Sequence, residues 1–147
     1  MSAAVSASPG ARLTLVVIVV AVVALTVGWR LAAARRYRAH ALVQTAAVAA
    51  VTASAVLFMA VSLVRNVLPE IPARLGQAVY AVDTGHAVIG IAATLVGLYV
   101  VLAAGDVLPA RLRFRSFRPF MRVAYGLYLV AAATGVALFV VAYGAPR

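Results

Sequence analysis

Asp83 and His86 are the two residues of this sequence whose types and spacing could most readily do chemistry. They stand three positions apart in the stretch YAVDTGHAV, residues 80–88, where a long apolar run begins. On a helix, positions i and i+3 share a face, so the carboxylate can accept a bond from one ring nitrogen and orient the other toward a ligand. The alternative is that Asp83 marks the start of a helix in headgroup water and His86 bonds only to a neighbour. Both interpretations stay open.

Three further side chains could serve as ligands: His40, Met59 and Met121. Counted at about 1.5 Å per helical residue from the arginines that flank the apolar runs, Met59 is level with His86 and Met121 is level with His40. Histidine with methionine is an axial pair for haem iron, so each pair is a candidate cofactor-binding site. Methionine also commonly fills gaps between helices, which is the alternative for both. The two histidines differ by roughly 25 Å in depth, which argues against one haem held between them within one chain.

Signatures of other chemistry are absent from the sequence. The chain has no cysteine, which excludes disulfides and thiolate metal sites. It also has no phosphate-binding glycine loop, no zinc-binding helix motif, and no combination of nucleophile, base and carboxylate beyond the residues already named. These absences favour a protein that is not an enzyme.

The elements that must position these side chains are apolar. The chain is 66% hydrophobic, with a mean hydropathy of +1.08, values that place it in a lipid bilayer. Four runs, roughly 13–34, 41–64, 84–104 and 123–143, are long enough to cross about 30 Å of hydrocarbon as helices, which satisfy their own backbone groups. We therefore predict an all-α fold, a four-helix transmembrane bundle. It forms a single integral membrane domain over residues 12–147, after a disordered segment at 1–11.

The charge distribution predicts how the bundle is oriented. The net charge of +10 comes from arginine alone, and most arginines lie in the first and third connections between the runs. By the positive-inside rule these connections are cytoplasmic and both termini are outside, an N-out/C-out multi-pass protein of the cell (inner) membrane. This distribution explains the charge without nucleic acid as a partner. In the third connection arginine alternates with leucine and phenylalanine, which suits contact with anionic phospholipid headgroups. The predicted membrane-surface contacts are Arg35, Arg36, Arg38, Arg111, Arg113, Arg115 and Arg118.

Four stretches together resemble a family of small prokaryotic membrane proteins of uncharacterised-domain type. They are GWRLAAARRYRAHALVQ, LFMAVSLVRNVLP, YAVDTGHAVIGIAATLVGLYVVL and RFRSFRPFMRVAYGLYLVAAATGV. Some members, of CtaM-like kind, are associated with haem–copper oxidase maturation. On the family's pattern His40 and His86 match its histidines and Tyr80 matches its tyrosine. The resemblance covers about residues 28–143, and arginines stand in the third connection where the family often has a further histidine.

Two functional hypotheses follow, with a third behind them. The first is a non-enzymatic membrane protein of the respiratory chain or its assembly that binds haem b or copper through His86, with Asp83 orienting the ring, or that helps a partner that does. The second is a structural or accessory subunit of a larger membrane complex, or a homo-oligomer, whose histidines are interfacial. The third is a small quinone- or lipid-binding redox module.

Overall fold

Four long helices make up the fold in the computed structural model, which describes residues 7–70, 73, 76, 78–113 and 116–143. They are α1 (Pro9–Ala33), α2 (Tyr37–Glu70), α3 (Ala78–Ala104) and α4 (Arg118–Tyr143), with a short 3-10 turn at Ala110–Leu112. No strand occurs among the described residues, and each of the four helices is long and apolar enough to cross a membrane. The predicted all-α, four-helix membrane bundle is confirmed.

The first helix begins earlier than its hydropathy predicts. Ser8 has extended backbone angles, and its hydroxyl accepts the Ala11 amide at 3.2 Å, while Pro9 occupies the first turn. Serine before proline is a strong start signal, because it satisfies an amide that the first turn leaves free. Residues 9–11 of the predicted disordered segment are therefore helical, and residues 1–6 lie outside the described residues.

The same kind of turn ends α1 and α3. The amides of Arg36 and Val107 each donate to the carbonyl five residues earlier, at 2.9 and 3.1 Å. The residue before each of them, Arg35 or Asp106, has left-handed backbone angles, with φ of 59° and 60°. This geometry satisfies carbonyls that a helix end leaves free and reverses the chain sharply. As a result α2 begins at Tyr37, and α1 and α2 are antiparallel neighbours as predicted.

The second helix departs most from the predicted run at 41–64. It is regular over Tyr37–Ser54, and then contains two π-helical segments, Ala55–Met59 and Leu63–Val67, before a last 3-10 turn. Its 34 residues correspond to about 50 Å, well beyond the roughly 30 Å of membrane hydrocarbon. The end of α2 at Glu70 therefore extends beyond the apolar layer or tilts within it.

The helices pack as two hairpins side by side. α1 lies mainly on α2 and α3 mainly on α4, and the hairpins meet along α2–α3 and α1–α4. The buried cluster at the centre combines small and branched residues with one tyrosine: Ala21, Leu25, Ala47, Val48, Val51, Ala93 and Tyr128. Small side chains let helix backbones approach closely, which is how helices commonly associate in lipid. Most other valines and leucines point outward, as expected for a surface in contact with lipid.

Candidate functional site

His86 lies between α3 and α4 and is tied to α4. Its Nδ1 is 2.9 Å from the Thr134 hydroxyl oxygen, and that hydroxyl donates to the Val130 carbonyl, also at 2.9 Å. The Ala131 carbonyl is a second acceptor for this hydroxyl, at 3.1 Å. With the threonine proton on either carbonyl, the oxygen accepts from His86 and Nδ1 carries the proton. The Nε2 atom is then the nitrogen with a free lone pair, as in many metal-binding histidines.

The ring of His86 rests on the backbone of α4 at a glycine. A Cβ built on Gly135 would lie 3.0 Å from the ring carbon Cε1 and 3.6 Å from Nε2. Any larger residue at position 135 would therefore push the ring away from Thr134. Gly135 and Thr134 together form a seat for the imidazole on α4.

Asp83 is near His86 but does not hold it. The two residues are three positions apart on α3, yet no hydrogen bond or ion pair between them occurs among the described residues. The orienting group that bonds to Nδ1 is Thr134. Asp83 was predicted to orient the His86 ring through a hydrogen bond, and the structure does not contain this bond.

Met59 lies in the second half of α2. It ends the first π-helical segment, Ala55–Met59, which packs on α1, where Phe58 contacts Gly10. Both the regular part of α2, Tyr37–Ser54, and the later segment Leu63–Val67 contact α3. The described contacts do not bring Met59 to His86, and this pair stays a prediction.

His40 joins α2 to α1 in the half of the bundle nearer the arginine-rich connections. Its Nδ1 is 2.8 Å from the Gly28 carbonyl oxygen, which can only accept, so Nδ1 carries the proton here as well. One turn further along α2, the Gln44 amide donates to the Leu25 carbonyl at 3.3 Å. A Cβ at Gly28 would lie only 2.8 Å from the Gln44 Nε2 atom, so the glycine is needed for this contact.

Met121 is half-buried in the first turn of α4. The hydrogen bond of His40 is directed at α1, and no described interaction joins His40 to Met121. This candidate pair also stays a prediction. Among the described residues, no three histidine, aspartate or glutamate side chains converge on a common point.

The predicted membrane-surface arginines divide into three groups. Arg113 is committed to its own connection, since it pairs with the Asp106 carboxylate and donates to the Leu108 carbonyl at 2.7 Å. Arg115 lies outside the described residues. The others are exposed and have no acidic partner in the described part of the chain: Arg35, Arg36, Arg38, Arg111 and Arg118.

Two buried features were not foreseen from the sequence. The Tyr128 hydroxyl lies at the centre of the bundle against Gly97 and has no hydrogen-bond partner among the described residues. Between α1 and α4, the Thr26 hydroxyl donates to the Val22 carbonyl at 2.8 Å and accepts from the Tyr125 hydroxyl at 2.9 Å. Threonines within apolar runs were the available signal, because a hydroxyl in lipid needs a partner.

Comparisons with protein-family models, curated proteins and solved structures found no match for this chain.

Proposed function

We propose that this protein is a non-enzymatic accessory subunit of a larger membrane complex, and that the complex belongs to the respiratory chain or its assembly. The accessory role is supported by one observation: both imidazoles form hydrogen bonds between helices. His86 donates to Thr134 across the α3–α4 contact, and His40 donates to the Gly28 carbonyl across the α1–α2 contact. Imidazoles that hydrogen-bond across helix contacts in this way stabilise the packing of the bundle.

The respiratory assignment is supported by the sequence alone. It comes from the resemblance of four stretches to membrane proteins associated with oxidase maturation, in which His40, His86 and Tyr80 match family positions. The distribution of arginine along the sequence favours the inner membrane, with both termini outside. Its immediate surroundings there are lipid, including anionic headgroups at the arginine-rich connections.

The accessory role is tested by solubilising native membranes in a mild detergent and separating the complexes by native electrophoresis. The expected result is that this chain migrates in an assembly much larger than its own 15.2 kDa and together with haem–copper oxidase subunits. Migration only as a single chain or homo-oligomer, across several mild detergents, would overturn the proposal.

A second function, binding of haem b or copper through His86, is favoured by one observation. The Nδ1–H group of His86 donates to the Thr134 hydroxyl, which leaves Nε2 as the atom that could bind a metal, and this fits a single axial or metal ligand. No group of three or more histidine, aspartate or glutamate side chains that could hold an ion is found among the described residues, so a partner chain or a second copy would have to complete such a site.

The visible spectrum and metal content of the purified protein separate the two functions. An accessory subunit is expected to be colourless and free of metal. A Soret band or bound copper that is lost in His86→Ala and retained in His40→Ala would support the second function. A band retained in both variants would exclude the histidines as its ligands.

A further inference from the structure

The contact between α1 and α4 ends in a pair of arginines on one side of the bundle. Tyr125 of α4 donates to the Thr26 hydroxyl of α1, and the Trp29 ring lies beside the Tyr125 ring with centroids 5.8 Å apart. These contacts fix which residues of the two antiparallel helices are level with each other. They therefore also determine which residues of α1 and α4 are level with each other one turn nearer the arginine-rich connections.

One turn beyond this contact each helix carries an arginine. Arg30 follows Thr26 by four positions, and Arg122 precedes Tyr125 by three on the helix that runs the opposite way. At about 1.5 Å per residue both lie roughly 5 Å nearer the arginine-rich end than the Thr26–Tyr125 bond. Both side chains are exposed. They lie at the same level on α1 and α4, one on each side of the groove between these two helices.

Both arginines also lie on the lipid side of the groove. Successive residues turn by about 100° around a helix, so Arg30 and the buried Leu25 fall on opposite sides of Thr26. On α4, Arg122 and the buried Tyr128 fall on opposite sides of Tyr125 in the same way. The interior of the bundle is on one side of the α1–α4 contact, and the two guanidinium groups are on the other.

The charge of this pair is not neutralised by the protein. No acidic side chain pairs with Arg30 or Arg122 among the described residues, and Asp106, the acid nearest to the third connection, is taken by Arg113. Two guanidiniums emerging from neighbouring helices repel each other unless an anion lies between them. A phosphate suits this place, because its oxygens accept the paired N–H groups of arginine in a bidentate fashion.

We propose that Arg30 and Arg122 bind the phosphate of an anionic phospholipid in the groove between α1 and α4. The two arginines are on the lipid side of the groove, and exposed Val23 and Leu129, one turn deeper than the Thr26–Tyr125 bond on the same side of α1 and α4, continue it into the apolar layer, where an acyl chain would lie. Basic sites between membrane helices on the cytoplasmic side are suited to such headgroups. This site differs from the general attraction of the arginine-rich connections, since it uses two arginines of the helices themselves.

The single tryptophan of the chain, Trp29, reports on this site. The full-length protein is reconstituted in vesicles of zwitterionic lipid that contain either brominated phosphatidylglycerol or brominated phosphatidylcholine, and quenching of Trp29 fluorescence is measured. The expected result is a preference of roughly tenfold for the anionic lipid. In Arg30→Gln/Arg122→Gln this preference is expected to fall close to unity.

The matched control is Arg38→Gln/Arg111→Gln, which removes the same charge from exposed positions on the connections and is expected to keep most of the preference. An equal loss in the control, or an unchanged preference in the Arg30/Arg122 variant, would overturn the site.

Soluble glycerophosphate, which has no acyl chains, is expected not to compete, and competition at similar concentration would overturn the assignment to a lipid. If the double variant does not fold, the single variants Arg30→Gln and Arg122→Gln replace it, and an unchanged preference in both would overturn the proposal.

Discussion

Each histidine of this protein donates its Nδ1 proton to an acceptor on a neighbouring helix. The acceptors differ: a side-chain hydroxyl for His86 and a main-chain carbonyl for His40. A hydroxyl can be removed by substitution whereas a carbonyl cannot, so the contribution of the His86 bond can be measured directly.

Thr134→Val is expected to lower the free energy of unfolding by about 1 kcal/mol, a common value for one interhelical hydrogen bond in a membrane protein. Valine keeps the shape of the side chain and removes the acceptor of the His86 ring. Unfolding in detergent by increasing denaturing-surfactant concentration gives the measurement. The control is Thr94→Val, because Thr94 bonds only to the Gly90 carbonyl of its own helix at 2.8 Å. Equal losses in the two variants would show that the interhelical bond contributes nothing.

Substitution by alanine is expected to change the stability of the bundle in opposite ways at two glycines of α3. A Cβ at Gly97 would overlap the Tyr128 hydroxyl and lie 2.8 Å from the Cε2 atom of that ring, whereas a Cβ at Gly90 meets nothing within 4 Å. Gly97→Ala is therefore expected to destabilise the bundle by about 1–3 kcal/mol through overpacking. Gly90→Ala is expected to be neutral or to stabilise by about 0.5–1 kcal/mol. Thermal unfolding in detergent compares them, and a loss at Gly90 as large as at Gly97 would contradict the close contact.

At the scale of the elements, helix ends are defined by backbone geometry as well as by hydropathy. α1 and α3 both end with a residue in left-handed conformation, and neither residue is glycine. An ordinary side chain in this conformation costs about 1 kcal/mol or more, since its Cβ crowds the following carbonyl. Asp106 is tolerated there more readily than Arg35, because aspartate can bond to its local backbone.

Arg35→Gly is expected to give a more stable protein than Arg36→Gly, by about 1 kcal/mol. Both variants remove one arginine from the same connection, but Arg35 has φ of 59° and Arg36 has φ of −86°. Glycine relieves strain only at the first position and adds chain entropy to the unfolded state at both. Unfolding of the two variants under identical detergent conditions tests this, and an equal stability would mean that the left-handed position carries no strain.

The sequence predicted the elements well in their middles and less well at their ends. Apolar runs located all four helices, because a segment in lipid must satisfy its backbone internally. Ser8 and Pro9 were a readable start signal that the hydropathy of the run did not include. The π-helical segments of α2, Ala55–Met59 and Leu63–Val67, were not predictable, because their residue types do not differ from those of the ordinary helical runs around them.

At the scale of the whole molecule, the partners of the histidines were the least predictable part of the site. The sequence indicated His86 and His40, but nearly uniform apolar faces leave the rotation of each helix about its axis undetermined. Thr134 and Gly28 became identifiable as partners only once the helices were packed. The depth of a residue was easier to predict than its direction, so the sequence could place Met59 level with His86 but could not say which neighbouring helix Met59 faces.

The predicted N-out/C-out orientation is testable with single cysteines, and the chain has none to remove beforehand. Gly76→Cys introduces an exposed thiol in open space between α2 and α3, and Ser116→Cys introduces one in the arginine-rich third connection. In intact cells a membrane-impermeant maleimide is expected to label Cys at position 76 and to reach position 116 only after permeabilisation. The reverse labelling pattern would invert the topology.

The π-helical segment at Ala55–Met59 allows α2 to lose one residue without rotating the rest of the helix, which α1 and α3 cannot do. In such a segment each amide bonds to the carbonyl five residues back, so one turn holds a residue more than an α-helical turn does. Deleting a single residue there converts the turn to ordinary α-helix and leaves the residues on either side facing the same neighbours. The same deletion in α1 or α3 would rotate everything beyond it by about 100° and separate the contacts of the bundle. Changes in the length of this chain are therefore accommodated most easily in the second half of its second helix.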